Sequence, residues 1–298
     1  MQGKRVVIGT DLSENAQPAA RYALKLGRLL GLEVHVLHVL DVSLKSWKSA
    51  FEEVSGAQLR DKLDARIGAW FKEATGESPD GVMLEVGSPM RSTCEMCQKG
   101  DVAVLVIGMS GRGAWNKFIF GSTAMELAHT PPCPLVIVHP ERDRVEAGME
   151  VALGTDFSER SDRAMEVSVP LIKKFKSPLH LVHAHALSAT TVILDTELPE
   201  ALQSTAIVDW AEEAMDAFIK RHDALLEGVE CDAHLLAQSP VAGLREFVES
   251  ANIDLVVIGH YPADAGRLDR LASVMVKWVQ NMNCTTLIVP APGAVAAH

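Results

Sequence analysis

The sequence contains the same pattern twice, and this internal repeat constrains the fold more than any other feature. Val6–Glu14 recurs as Val151–Glu159 at a shift of 145 residues, and Val106–Gly108 recurs as Val257–Gly259 at a shift of 151. The second repeat therefore has six extra residues in its middle. A period near 150 residues is too long for a solenoid and is typical of whole domains in tandem. The length of 298 residues agrees, because one domain takes about 150 residues.

Each repeat alternates strands with helices. In the first repeat, apolar runs predict strands at Lys4–Gly9, Glu33–Leu40, Val82–Val86, Val102–Gly108 and Leu135–Val138. Amphipathic patterns predict the intervening helices at Glu14–Leu30 (capped by Ser13), Ala50–Ala74, Pro89–Gln98 and Ser122–Ala128. Continuous apolar strands between helices are typical of parallel sheets that are covered on both faces. We therefore predict two tandem doubly wound α/β domains, residues 1–140 and 149–298, joined by a charged linker at Glu141–Gly148.

Composition excludes several classes of protein. The net charge of −11 argues against a general surface for nucleic acids or anionic membranes. No apolar run approaches the roughly 20 residues that a membrane-spanning helix needs. Met1–Asp11 lacks the basic start and apolar core of a secretory signal, and five cysteines do not suggest a disulfide scaffold. We therefore expect a cytoplasmic protein with no membrane span and no nucleic-acid partner.

Candidate ligand-binding residues follow the first and fourth strands. In an open parallel sheet, ligands bind beyond the carboxyl ends of the strands, where the strand order reverses. Gly9–Asp11 ends the first strand with a carboxylate that can accept hydrogen bonds from a ribose or an adenine. Gly108–Gly113 follows the fourth strand, and the loop continues to Gly121–Thr123 at a helix start. Glycines, free amides and a helix dipole suit a phosphate, and Arg112 and Lys117 add positive charge.

These motifs resemble the universal stress proteins, in their tandem-domain form, and the resemblance covers nearly the whole chain. It implies a five-stranded parallel sheet with four helices in each domain, and ATP bound with Mg²⁺. It places Asp11 near the adenosine, the backbone of Val39 near adenine, Gly108, Gly111 and Arg112 around ribose and phosphates, and Gly121, Ser122 and Thr123 on the phosphates. Thr10, Met109 and Gly113 complete the candidate nucleotide-binding set. It also implies that the two halves pair internally through their last strands.

The second repeat departs from the motif. Under the shift of 151 residues, Pro262 replaces Gly111, Ala272 replaces Gly121, and Ser273 matches Ser122. Proline removes an amide, and the alanine adds a Cβ where backbone should meet phosphate. The loop also gains Asp264 and Asp269, which would repel an anion. We therefore expect nucleotide in the first domain and a degenerate site in the second.

Several features also have simpler interpretations. Asp11 and Asp156 can hold their turns by accepting hydrogen bonds from backbone amides, and the glycine-rich loop can be an ordinary connection with an empty anion niche. Cys94 and Cys97 form a Cys-x2-Cys pair, which suits zinc or redox chemistry. They fall within a predicted helix, however, and no second pair lies at ligand spacing, so we expect them to pack in the core.

The second repeat has two further candidate surfaces. His180, His183 and His185 lie along one strand, and the last two share a face, so a two-histidine metal site is geometrically possible. No third ligand is evident, and we expect structural histidines. The helix Pro199–Leu226 is amphipathic, and most of its apolar face should pack in the core. A ligand cavity or partner groove beside Thr191–Leu194 is the alternative.

These observations favour an ATP-binding regulator of the stress response, with no metal site or catalytic residue of its own. The phosphate loop contains no Asp, Glu or His to act as a general base, so any hydrolysis should be far slower than that of a dedicated ATPase. A nucleotide-free adaptor that binds an apolar ligand or a protein through its second domain is the first alternative. An adenylating enzyme ranks last, because its phosphate motifs are absent. The protein partner is unknown, and a homodimer of the tandem chain is possible.

Overall fold

Ten strands form one continuous sheet in the computed structural model, which describes residues 3–41, 56–99, 101–110, 121–185, 200–260, 277–281 and 283–291. The strands are β1 Arg5–Gly9, β2 Glu33–Leu40, β3 Gly81–Val86, β4 Val102–Gly108, β5 Leu135–Val138, β6 Val151–Gly154, β7 Leu179–Ala184, β8 Cys231–Leu236, β9 Leu255–Gly259 and β10 Thr285–Val289. Their order across the sheet is β3-β2-β1-β4-β5-β10-β9-β6-β7-β8.

Each half of the sheet is parallel and doubly wound. The order reverses between β1 and β4 in the first half and between β6 and β9 in the second. The two halves meet at β5 and β10, which pair antiparallel with Ile137 opposite Thr286. The predicted fold is thus confirmed, including the internal pairing through the last strands. Because β5 and β10 run in opposite directions, the carboxyl ends of the two parallel halves lie at opposite edges of the sheet.

The helices follow the predicted order. They are α1 Gln17–Leu30, α2 Gly56–Thr75, α3 Pro89–Gln98, α4 Ser122–His129, α5 Glu159–Phe175, α6 Glu200–Arg221, α7 Asp223–Leu226 and α8 Pro240–Ser250. A short 3₁₀ turn at Glu14–Ala16 precedes α1. The predicted start of the second helix, at Ala50, lies outside the described residues. No helix in the described part of the chain is long and apolar enough to cross a membrane.

Two apolar cores lie on the two faces of the sheet. Alternate strand residues serve different faces, so Val6 and Ile8 pack in one core while Val7 packs in the other. Each core includes residues from both halves: Tyr22 and Phe175 share the first, and Leu127 and Trp278 share the second. The paired sheet therefore joins the two repeats through continuous cores as well as through backbone hydrogen bonds.

The predicted linker is packed against the second half. Arg142 donates a hydrogen bond to the carbonyl of Ile253 at 3.1 Å, and Val145 is buried. The carboxylate of Asp254 accepts hydrogen bonds from Arg144 at 3.2 Å and from the amide of Glu150 at 2.9 Å. The charged side chains of this segment therefore make specific contacts with the second half as well as with solvent.

Candidate functional site

The turn after β1 places Thr10 and Asp11 at the carboxyl edge of the first half. The amide of Thr10 donates to the carbonyl of Leu37 on the neighbouring strand at 3.0 Å. The Thr10 hydroxyl accepts the amide of Leu12 at 2.9 Å, and the Asp11 carboxylate accepts the amide of Ser13 at 3.0 Å. Leu12 has φ of 63°, in the left-handed region, which completes the reversal of the chain. Asp11 therefore has the turn-holding role that aspartate often takes, and its contact with adenosine stays a prediction.

The structure corrects the predicted cap of the first helix. Ser13 makes no side-chain capping bond, and its hydroxyl is buried without a partner. A 3₁₀ turn intervenes before α1, and the amide of Ala16 bonds the backbone carbonyl of Ser13 at 3.2 Å. In this tighter i to i+3 geometry, the amide of Ala16 therefore donates to the backbone carbonyl of Ser13 and not to its hydroxyl.

A buried histidine on β2 stabilises this turn. Nδ1 of His38 lies 2.8 Å from the carbonyl oxygen of Thr10, and because a carbonyl can only accept, the imidazole donates. The next residue, Val39, is half-buried on the same strand and pairs with Glu85 of β3. The predicted adenine contact at Val39 therefore lies one strand away from Asp11, along the same edge of the sheet.

The end of β4 is tied to the start of α4. Gly108 ends the strand, and the amide of Met109 donates to the carbonyl of Val138 at 3.2 Å. The amide of Gly121 in turn donates to the carbonyl of Met109 at 2.9 Å. The amide of Gly121 is therefore not one of the free amides expected at this helix start, because the carbonyl of Met109, the residue after β4, already accepts it. Gly121 instead anchors the helix start beside the strand end.

The N-terminus of α4 has the chemistry of an anion site. Gly121 is its N-cap, in an extended conformation with φ −74° and ψ 146°. The amides of the first turn, from Ser122 to Ala124, have no acceptor within the helix. No acidic side chain lies in that turn, and Ser122 is exposed. The positive end of the helix dipole therefore favours an anion at this point.

The structure brings together the candidate residues that it describes. Because β1 and β4 are neighbours, with Gly9 opposite Ile107, the turn at Thr10–Asp11 and the segment Gly108–Met109 share one edge of the sheet. Hydrogen bonding adds Gly121 and the start of α4 to this group. The remaining predicted residues Gly111, Arg112 and Gly113, together with Lys117, lie outside the described residues, as do Pro262, Asp264, Asp269, Ala272 and Ser273 of the second repeat.

The equivalent aspartate of the second half is held by its own neighbours. Asp156 accepts hydrogen bonds from the hydroxyls of Ser158 and Ser161, the latter at 2.9 Å, and pairs with Arg160 at 3.5 Å. Burial acts to raise the pKa of Asp156, but these hydrogen bonds and the arginine outweigh it and keep the pKa below its ordinary value. Under the shift of 145 residues, Asn15 and Ala16 replace Arg160 and Ser161 in the first half. The Asp156 carboxylate also accepts the backbone amide of Ser158 at 3.2 Å, so the turn-holding interpretation of Asp156 is confirmed.

Matched glycines at the ends of β4 and β9 meet different surroundings. A Cβ on Gly259 would lie 2.5 Å from the carbonyl oxygen of Arg160, whereas a Cβ on Gly108 would lie 3.4 Å from that of Asn15. Backbone at Arg160 therefore approaches too closely for any side chain at residue 259. This glycine is required by packing against the start of α5, and its presence is no evidence for a nucleotide in the second half.

The residue that follows Gly259 makes the free energy of unfolding depend on pH. His260, which replaces Met109 under the shift of 151 residues, is buried, and burial lowers its pKa from 6.5 to about 4. The positive charge of Arg160 also opposes protonation, whereas a backbone contact with His129 favours it. Between pH 6.5 and 4 the unfolded chain therefore binds a proton that the folded chain does not. Stability is full at neutral pH and falls as the pH decreases through this window.

Replacing this histidine should flatten the pH dependence. His260→Met introduces the residue of the first repeat. We expect the free energy of unfolding of the wild type to fall by about 2 kcal/mol between pH 7 and pH 5 because of His260, and we expect the variant to lack this fall. Urea unfolding of both proteins at the two pH values measures the difference. Equal losses in the two proteins would contradict the assignment to His260.

Cys94 and Cys97 pack in the core, as expected. Cys94, Cys97, Cys133 and Cys284 are buried and free, and Cys231 is half-buried and free. The thiol of Cys133 lies 3.3 Å from the sulfur of Cys97, and burial raises the pKa of Cys94 to about 11. The Cys94 thiol is therefore protonated at neutral pH, which disfavours thiolate chemistry at this residue.

An aromatic cluster at the carboxyl edge of the second half is the feature that sequence reasoning underestimated. Phe157 stacks on His183 with ring centroids 4.4 Å apart, and Trp210 of α6 meets both rings edge-on. Phe157 replaces Leu12 of the first repeat. The apolar pattern of Pro199–Leu226 predicted the helix but not this contact, because it joins residues more than 25 positions apart. In the structure the helix ends at Arg221 and a short turn of helix, Asp223–Leu226, follows.

The fold and the site define a tandem, doubly wound α/β protein with one helix start suited to anions in its first half. Sequence comparison then identifies the family. The model of the Universal stress protein family matches residues 3–139 and, a second time, residues 149–290. The chain belongs to the universal stress protein family, in its tandem form.

Individual relatives agree with this assignment. A universal stress protein of Mycobacterium tuberculosis is 24% identical over 265 residues, which cover 86% of each chain. A universal stress protein of Methanocaldococcus jannaschii is 25% identical over 144 residues, covering 45% of this chain and 81% of that protein. The crystal structure of a universal stress protein from Archaeoglobus fulgidus superposes with a TM-score of 0.65 at 20% identity, covering 97% of this chain and 99% of that one. The last similarity concerns the fold alone.

Proposed function

We propose that this protein binds ATP in its first domain and acts as a nucleotide-dependent regulator of the stress response. The observation that carries the proposal is the start of α4, whose first turn lacks acidic side chains and is anchored by Gly121 to the end of β4. It lies at the edge of the sheet where the turn after β1 contains Asp11. Backbone donors suited to a phosphate and a polar turn thus lie along the edge where doubly wound sheets bind ligands. Membership of the family supports the same assignment.

The described residues divide into two groups by chemistry. The turn at Thr10–Asp11 and the backbone at Val39 offer acceptors and donors for the adenosine. The amides and hydroxyls of Ser122 and Thr123 would hold phosphate oxygens, and Gly108 and Met109 bring backbone close to them. Mg²⁺ would accompany ATP and offset the charge of its phosphates. Arg112 and Gly111–Gly113, which belong to the same sequence motif, complete the proposed site.

The same chemistry favours binding over catalysis. Phosphoryl transfer depends on positioning and on stabilising charge, and fast enzymes add a group that orients the attacking nucleophile. Neither the loop sequence 108–122 nor the first turn of α4 contains Asp, Glu or His. We therefore propose that ATP occupancy, and not ATP turnover, is the regulatory signal, and we expect turnover well below about 1 per second.

The proposal is tested on freshly purified, untagged protein. The protein is denatured, and nucleotide-resolving chromatography measures the nucleotide that it retained. Calorimetry of nucleotide-stripped protein then measures the heat of binding of added Mg·ATP. We expect one equivalent of ATP per chain and slow release of phosphate. Two equivalents would contradict a site confined to the first domain. Absence of both retained nucleotide and calorimetric heat would overturn ATP binding.

A nucleotide-free adaptor that acts through the second domain is the alternative. Trp210 is 55% exposed on α6, which is unusual for so large an apolar side chain. Its ring nevertheless contacts Phe157 and His183, so part of its surface is already packed. An apolar ligand or protein retained through purification without nucleotide would favour this second function over the first.

A further inference from the structure

The second domain contains a buried imidazole that is oriented like a metal ligand. Nδ1 of His183 lies 2.8 Å from the carbonyl oxygen of Thr155, so Nδ1 carries the proton and Nε2 carries a lone pair. His183 is only 8% exposed, and its Nε2 has no hydrogen-bond partner. Leaving such an acceptor buried and unpaired costs about 1–3 kcal/mol. Metal-binding histidines commonly have this arrangement, with one ring nitrogen donating to a backbone carbonyl and the other on the metal.

A second imidazole lies beside it and also lacks hydrogen-bond partners. His185 is two residues further along the chain, so its side chain is on the same face. The two ring centroids are 5.7 Å apart, and both ring nitrogens of His185 are buried without partners. Two imidazoles on one ion, each with a metal–nitrogen distance of about 2.1 Å, have centroids at most roughly 6.4 Å apart. The observed separation is therefore within reach of a shared ion.

The pair is specific to the second repeat. His38 occupies the position of His183 in the first repeat and bonds Thr10 in the same way, but Leu40 stands where the second repeat has His185. The His-x-His chelate is therefore not a by-product of the common fold. It lies in the half whose sequence departs from the nucleotide motif.

The surroundings suit a neutral, imidazole-based site. Phe157 stacks on one face of the His183 ring and Trp210 lies against it edge-on, so apolar rings pack beside the pair. The charge of Asp156 is already compensated by Arg160 and two serine hydroxyls. Within the described residues no third His, Cys, Asp or Glu joins the pair. Water or a donor from a ligand would complete the coordination, as in open rather than purely structural sites.

We propose that the carboxyl edge of the second domain binds a divalent first-row transition-metal ion through His183 and His185. Imidazole is the ligand that Zn²⁺, Cu²⁺, Ni²⁺ and Co²⁺ share, whereas Mg²⁺ and Ca²⁺ prefer oxygen. The site is chemically distinct from the proposed ATP site and uses no residue of the first domain.

The test is a metal titration of the full-length, untagged protein after removal of metals and nucleotide. Co²⁺ is added first, because its visible absorption reports coordination, and Zn²⁺ is then added to displace it. Calorimetry gives the stoichiometry. We expect one ion per chain, and His185→Leu, which introduces the residue of the first repeat, should weaken binding at least tenfold, the lower end of what even an outer-shell change costs.

Two comparisons make the result decisive. His129→Gln removes an exposed histidine on α4 and should leave the titration unchanged. Circular dichroism and urea unfolding of His185→Leu verify that the variant is folded. No cobalt absorption and no heat, or equal binding in all three proteins, would overturn the site, the second result being adventitious binding only. Because nucleotide is absent throughout, neither result depends on the proposed ATP binding.

Discussion

Gly259→Ala is expected to lower the free energy of unfolding by about 3 kcal/mol, at the upper end of the usual cost of overpacking. The added Cβ would lie 2.5 Å from the carbonyl oxygen and 2.8 Å from the carbonyl carbon of Arg160. Both are backbone atoms near the start of α5, so relief requires the strand and the helix to separate. Urea unfolding at neutral pH, with the midpoint and the slope analysed together, measures the loss.

Gly108→Ala is the matched control at the same position of the first repeat. Its Cβ would meet the carbonyl oxygen of Asn15 at 3.4 Å and Cα of Ala16 at 3.5 Å, which is ordinary van der Waals contact. We expect this variant to change the free energy of unfolding by less than about 1 kcal/mol. If both variants lose a similar free energy of unfolding, the close approach of α5 to β9 does not determine the cost of a side chain at residue 259.

This contrast shows what the sequence alone could and could not predict. The repeat predicted two doubly wound domains because periodic apolar strands and helices are local features, and the structure confirms them. The two glycines, by contrast, are identical in sequence and occupy the same motif. Only the three-dimensional approach of Arg160 shows that Gly259 serves packing. Gly259 and Arg160 lie about 100 residues apart in the chain, so no local sequence pattern predicts their contact.

The candidate sites show the same limit. The residues around Asp11 and Gly121 were predicted from their positions after strands, and the described ones do lie along one edge. The cap at Ser13 was wrong because a 3₁₀ turn replaced the expected first turn of helix. The unpaired nitrogens of His183 and His185 could not be predicted, because the sequence shows the spacing of the two residues but neither the burial of these atoms nor their lack of partners. Hydrogen-bond satisfaction is a property of the folded chain.

Gly121→Val is expected to weaken Mg·ATP binding by roughly 100-fold, equivalent to the loss of two charge-assisted hydrogen bonds of about 1.5 kcal/mol each. The branched side chain would occupy the approach to the first-turn amides of α4 without removing the amide that Gly121 donates to Met109. The backbone at this residue, with φ −74° and ψ 146°, is one that valine adopts readily. The free energy of unfolding should therefore change by no more than about 1 kcal/mol, the cost of a poorer N-cap.

Ala272→Val makes the matched change at the equivalent position of the second repeat. If ATP binds in the first domain alone, this variant retains wild-type affinity while Gly121→Val loses it, and calorimetry with Mg·ATP on both proteins measures the difference. A loss in Ala272→Val would place nucleotide in the second half, and unchanged affinity in both would remove α4 from the phosphate site. Because both substitutions place valine at matched positions of the two repeats, a loss of affinity in one variant alone shows which domain binds the nucleotide.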